Sequence, residues 1–159
     1  MKSFRQRFLS NPRVAVSGAW LILVLLVAAF ANLLAPVDPF AIVDKPFLRP
    51  FGAHLLGTDS LGRDVLSGLV HGARTTLLIA VIATVAAVAF GTLVGSIAGY
   101  YGGLVDDVLM RLTEFFQTIP SFLFAIVLIA ILSPSATNLV IAIATVSWPP
   151  IARVVRGEV

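Results

Sequence analysis

The sequence contains no cysteine, only two histidines and few charges, and each scarcity closes off a class of chemistry. Without cysteine there is no disulfide, no thiol nucleophile and no thiolate-held metal. His54 and His71 have no carboxylate or further histidine repeating at ligand spacing, so they read as ordinary loop residues rather than a metal site. Charged residues fill 12% of the 159 positions, against the ~25% expected of a soluble globular domain. With 58% hydrophobic residues and a mean hydropathy of +1.00, the chain belongs in a bilayer. The net charge of +3 is carried by bases at the ends of apolar segments, not by a patch, so nucleic acid is not indicated. Nothing matches the GxxxxGK[ST] phosphate loop, and no cofactor is expected.

What is present is a series of long uncharged runs. Arg13 and Asp38 bracket one that predicts a first span over 14–37, with Asn11 as cap, Pro12 at the first helical position and Pro36 and Pro39 closing it. A cleaved signal peptide ending at Ala29-Phe30-Ala31 is the alternative, but the apolar run is too long for a signal core and further spans follow. Residues 38–75 form a loop. A second run between Arg74 and Asp106 predicts span two over 76–100, in which Ala83, Ala87, Gly91, Gly95 and Gly99 recur every fourth position. Four residues overshoot a full turn by about 40°, so this stripe of small residues winds around the helix and admits a partner that crosses at an angle.

Residues 101–114 read as an amphipathic turn, with Leu104, Val108, Leu112 and Phe115 on one face and Asp107, Arg111 and Glu114 largely opposite. Asp106 and Asp107 fall in its first turn, where the helix dipole favours acid. Span three is expected over 115–132, a short turn over 133–135 and span four over 136–151. Pro149-Pro150 should break span four near its far end, and Trp148 is placed for an interfacial anchor. Residues 152–159 then begin a further loop. Lys2, Arg5, Arg7 and Arg13 put the N-terminus in the cytoplasm, Arg153 and Arg156 agree, and the loop over 38–75 falls outside.

The densest information lies in HLLGTDSLGRDVLSGLVHGARTT, residues 54–76, polar and glycine-punctuated between two apolar segments. Gly57, Gly62, Gly68 and Gly72 permit turns, while Asp59, Arg63, Asp64 and Arg74 demand water or mutual pairing. The string LGTDSLGRDVLSGLVHGART closely resembles the segment after the first membrane helix in the C-type permease subunit of bacterial dipeptide, oligopeptide and nickel ABC importers. GYYGGLVDDVLMRLTEFFQTIPSFLFAIVLIAIL, VSWPPIARVVRGEV and the leader FRQRFLSNP resemble the same family. The resemblance implies an all-α polytopic membrane protein in the cytoplasmic membrane, with four transmembrane helices here of an expected six. The chain then reads as an N-terminal fragment that stops before the family's ATPase-coupling loop.

The resemblance also implies a transporter subunit working by alternating access rather than an enzyme. Its partners would be a second permease subunit, two ATP-binding subunits that hydrolyse the nucleotide, an extracytoplasmic solute-binding protein and the lipid bilayer. Within the external motif, Gly57, Thr58, Asp59, Gly62, Arg63 and Asp64 are the candidate determinants. Holding the loop together through hydrogen bonds and ion pairs is their expected role, with contact to binding protein or solute as the other. Arg153 and Arg156 are expected at the cytoplasmic surface near the coupling loop.

The residues also bear on two other classes. An intramembrane aspartyl protease needs carboxylates facing each other from separate spans, and Asp106 and Asp107 are adjacent beside a turn. A small membrane protein that self-associates through the glycine stripe is the third reading. Whether the solute is a dipeptide, an oligopeptide, a glutathione-like peptide or a nickel chelate is not encoded in apolar path residues.

Overall fold

The computed structural model describes residues 11–159. Lys2, Arg5 and Arg7, on which part of the orientation argument rests, lie outside them. Among the described residues six helices follow one another: α1 (Pro12–Ala29), α2 (Ala31–Leu34), α3 (Val65–Tyr101), α4 (Gly103–Thr118), α5 (Ser121–Leu132) and α6 (Ala136–Glu158). Among the described residues there is no strand, only two isolated antiparallel bridges, Ile42 with Arg63 and Thr58 with Asp64. The fold is all-α and that of a multi-pass membrane protein. Among the described residues three helices, α1, α3 and α6, are long and apolar enough to cross a bilayer, and α4 with α5 makes a fourth crossing if that bent pair counts as one. The chain divides into two compact units, residues 1–77 and 78–159, with α3 contributing to both.

In the first unit, α1 begins at Pro12, and the Asn11 side chain accepts the Arg13 amide at 3.2 Å. The run expected as one span over 14–37 is helical only to Leu34 and is interrupted at Phe30. The interruption re-aims the last turn, so that Ala31 and Ala35 bury against Val70 of α3, with Val27 and Leu66 packed beside them. A larger correction concerns 38–75, expected as loop throughout: α3 starts at Val65, well inside it. Arg74 marks where the apolar run begins, not where the helix does. Asp64 accepts the Ser67 amide at 2.7 Å, the bond by which an N-cap side chain satisfies an orphan helix donor.

In the second unit, Gly102 and Gly103 turn the chain with φ of 59° and 52°. The amphipathic segment does not stop at 114 but runs on to Thr118, and its apolar face is not the side it buries. Asp106 and Thr113 are buried and Leu109 and Phe116 pack on the core, whereas Leu104, Val108, Leu112 and Phe115 are exposed. Span three is likewise not a continuous helix over 115–132. Pro120 holds Ile119 in extended backbone (φ −87°, ψ 128°), α5 restarts at Ser121, and the two helices meet at an 84° bend. Twelve residues of α5 rise only ~18 Å, short of a hydrocarbon core of about 30 Å.

The expected break at Pro149-Pro150 does not occur. Helix α6 passes through both prolines to Glu158, starting from Ser135, whose hydroxyl caps the Asn138 amide at 3.1 Å. Each proline removes one intrahelical bond, but Trp148, Pro149 and Ala152 are buried on either side, and neighbouring helices can hold such a segment helical. Trp148 is not an interfacial anchor either. It is 4% exposed, its ring edge-on to Phe90 (5.0 Å) and Phe116 (5.5 Å), in a core shared with Val94 and Ala152.

Candidate functional site

The external motif folds into a hydrogen-bonded knot on the first turns of α3. Thr58 is its hinge pin: buried, it donates its hydroxyl to the Lys45 carbonyl (2.6 Å), accepts the Leu48 amide (2.9 Å), and pairs its own amide with the Leu48 carbonyl (3.3 Å). Asp59 organises the next turn, its Oδ1 accepting the amides of Leu61 (2.8 Å) and Arg63 (2.9 Å). Its carbonyl takes those of Gly62 and Phe47, both at 3.1 Å. The Arg63 amide bond, ahead of an opposing desolvation cost, leaves the Asp59 carboxyl below its ordinary value, with Leu61, Gly62 and the Arg63 charge reinforcing the shift.

Asp64 joins knot to helix. Beyond capping α3, its Oδ1 lies 3.1 Å from Nδ1 of His54, whose Nε2 lies 3.8 Å from Asp44. Burial pushes the Asp64 carboxyl up, but bonds from the Ser67 amide and hydroxyl and from His54 outweigh it, and the net direction is downward. Gly57 and Gly62 both have φ of 77°, and neither has room for a side chain. A β-carbon would stand 2.2 Å from the Leu48 carbonyl oxygen at Gly57 and 2.1 Å from that of Asp44 at Gly62. Arg63 lays its guanidinium 5.8 Å from the Phe40 ring, and its Nε is buried without a partner. His54 is a loop residue as expected, but His71 is not: it lies on α3 and donates from Nε2 to the Ala35 carbonyl at 2.9 Å, closing α2 onto α3. A cleft of about 700 Å³ opens beside the knot, bordered by Arg63, Asp64, His71 and Thr75.

The small-residue stripe lies against α6. A β-carbon on Gly91 would meet the Trp148 carbonyl oxygen and Ile151 Cβ at 2.8 Å. One on Gly95 would stand 2.4 Å from the Ala152 carbonyl oxygen, and one on Gly99 would stand 2.9 Å from Val159 Cβ. Ala83 and Ala87 are buried as well. These three glycines are therefore covered from within the chain, which removes them as a surface for self-association.

Arg153 is exposed, but Arg156 is not a free surface charge: it bonds Asp106 at the start of α4, whose other carboxyl oxygen is buried without a partner. Asp107 is exposed. The Asp106–Arg156 pair was missed by reading the sequence for apolar faces. The signal was available in the spacing of Asp106, Leu109, Thr113 and Phe116, which share one side of α4.

Residues 91–159 match the family model described as "binding-protein-dependent transport system inner membrane component", and residues 1–51 match the N-terminal TM domain of oligopeptide transport permease C. Over residues 91–159 the chain is similar to that family. It is 36% identical to the dipeptide transport system permease protein of Haemophilus influenzae, over 99% of this chain and 56% of that protein. Against the glutathione transport system permease protein of Pectobacterium atrosepticum identity is 35%, over 99% and 53%. Against the di/tripeptide transport system permease protein of Pseudomonas aeruginosa it is 39%, over 100% and 55%. The chain thus spans about half the length of the curated relatives it matches.

Proposed function

We propose that the chain is the membrane-spanning permease subunit of an ATP-driven, binding-protein-dependent importer for dipeptides, oligopeptides or a related solute such as glutathione or a nickel chelate. The observation that carries this reading is similarity along essentially the whole chain to permease proteins of dipeptide, di/tripeptide and glutathione systems. In this reading the partners are a second permease subunit, two ATP-binding subunits that hydrolyse the nucleotide, and an extracytoplasmic solute-binding protein. The setting is the cytoplasmic membrane of a bacterium or archaeon, with the N-terminus inside and the knot outside.

Alternating access needs one body that stays rigid and another that moves, because nucleotide can shift only an equilibrium between states it contacts differently. The tight α3–α6 seam suits the rigid part, and the bend at Ile119-Pro120 suits the movable part. Uptake of labelled dipeptide, tripeptide, glutathione and chelated nickel by cells lacking the gene tests the reading. Loss of at least one, restored by the reintroduced gene, is expected. Unchanged uptake of all four overturns it.

A further inference from the structure

Two residues in the external loop hold a conformation that aromatic side chains rarely adopt. Phe47 and Phe51 have φ of 58° and 63°, the left-handed region that penalises any residue with a β-carbon, and neither gains burial in return. They are 76% and 84% exposed, the latter the most exposed large hydrophobic among the described residues. Both backbones are pinned: the Phe47 amide donates to the Asp59 carbonyl and the Phe51 amide to the Leu55 carbonyl, each at 3.1 Å. Strain maintained by surrounding hydrogen bonds, with no internal contact to offset it, is characteristic of groups held ready for something outside the chain.

Two bases, Lys45 and Arg49, interleave with the rings, exposed and without an ion-pair partner among the described residues. Lipid headgroups and a protein are the two surfaces that take rings among bases, and position decides between them. Phe47 hangs on Asp59, which is fastened to the start of α3 through the Arg63 carbonyl, while the Gly57 carbonyl takes the Val65 amide. The uncharged run of α3 begins only after Arg74. The ten residues from Val65 to Arg74 rise ~15 Å, whereas the headgroup layer is about 5–8 Å deep on each side. Set along the bilayer normal, that length would hold the start of α3, and the loop fastened to it, beyond the headgroups.

We propose that Phe47 and Phe51 are the anchors by which this loop docks the solute-binding protein, entering apolar pockets whose acidic rims face Lys45 and Arg49. The family's own description requires a binding protein, and aromatic anchors with a charged rim are the ordinary composition of such contacts. The inference rests on the permease reading and adds to it a division of labour within the loop. Thr58, Asp59 and Asp64 spend their hydrogen bonds on the knot, and the strained rings make the contact.

The test uses the complete transporter reconstituted in proteoliposomes, with its purified solute-binding protein titrated from outside and ATP hydrolysis as readout. Phe47→Asn with Phe51→Asn removes both rings while keeping a residue that tolerates positive φ. Lys45→Glu with Arg49→Glu reverses two surface charges. The binding-protein concentration giving half-maximal stimulation is expected to rise about tenfold or more in the first variant. In the second it should rise most at low salt, with hydrolysis in the absence of binding protein unchanged in both.

A nitroxide on Phe51→Cys gives a second view that does not depend on removing both rings. It should become immobile when binding protein is added and stay accessible to a water-soluble relaxant beforehand. Unchanged half-saturation in both variants overturns the docking proposal while leaving the permease reading intact, as does a label that sits at lipid depth or ignores the binding protein. A wild-type assembly that hydrolyses ATP without any response to binding protein overturns the permease reading itself.

Discussion

Gly57 and Gly62 show how a single hydrogen atom in place of a methyl group decides whether the external knot closes. Both need positive φ and both face a carbonyl oxygen at a distance no β-carbon tolerates, so Gly57→Ala or Gly62→Ala should each cost roughly 2–4 kcal/mol. Gly68→Ala is the matched opposite, since nothing lies within 4 Å of a β-carbon there and the position is inside α3. It should stabilise by about 0.5–1 kcal/mol. Thermal melts in detergent, together with protease cleavage of the loop, separate the three variants. A loop equally resistant in all of them contradicts the packing described.

The carboxyls make a further prediction at this scale. Asp59 and Asp64 are both lowered from 3.8 in the folded chain. A depressed folded value means the stabilisation is complete above the unfolded value and disappears as pH falls through the folded one. Protease protection of the loop should therefore hold from neutral pH down to about 4 and decline below it. Asp64→Asn should show a shallower decline, and an identical profile in the variant would remove Asp64 from the account.

Among the elements, what the sequence revealed well was where charge ends, and what it revealed poorly was where helices end. Arg74 and Asp106 bound a real apolar run, yet α3 begins at Val65 because Asp64 can cap it in water. Pro149-Pro150 carry a strong local instruction to stop, overridden because their neighbours are buried. For α4, hydrophobicity pointed to Leu104, Val108, Leu112 and Phe115, but the side that packs holds Asp106 and Thr113. In lipid an apolar stripe need not face inward, and a polar residue with a partner often does. The loop motif was legible as a unit, with its glycines and acids identified. Its anchoring through Lys45 and Leu48 was not, because those contacts span ten to thirteen residues of irregular chain.

The seam itself predicts that Gly95→Leu destabilises the chain far more than Leu93→Ala. A leucine at 95 would drive into Ala152 and Val155, whereas Leu93 is exposed. Melting of the isolated chain is the measurement, and equal melting of the two variants refutes the seam. A double-mutant cycle on Asp106→Ala and Arg156→Ala should return a coupling of roughly 1–3 kcal/mol. Additivity would mean that the pair contributes nothing to joining α4 and α6.

For the molecule as a whole, the order of contacts along the seam fixes a direction. Gly91 meets Trp148 and Ile151, Gly95 meets Ala152 and Val155, and Gly99 meets Arg156 and Val159, so both helices ascend together. Two membrane helices that run parallel leave an odd number of crossings between them, and only α4 and α5 are available. The bent pair must therefore make one crossing, which brings the count among the described residues to four rather than three. Single cysteines test this in a chain that has none of its own. Ser60→Cys and Gly157→Cys should react with an impermeant thiol reagent from opposite faces of the membrane, and labelling from the same face would break the parity.

The same contacts repeat every four residues on both helices, and the teeth on α6 are Ile151, Val155 and Val159, all branched at the β-carbon and stiff about their first torsion. Such an arrangement is a rack: its parts are either meshed or displaced by a whole notch, which is ~6 Å along a helix. A one-notch slip is barred in practice, because it moves Trp148 off Gly91 and onto a neighbouring position four residues away, where a methyl group stands at Ala87 or the last tooth is lost. Sliding is thus not a soft coordinate between α3 and α6. Spin labels on the exposed residues Leu93 and Val154 should keep one sharp distance through every nucleotide state of the transporter proposed above.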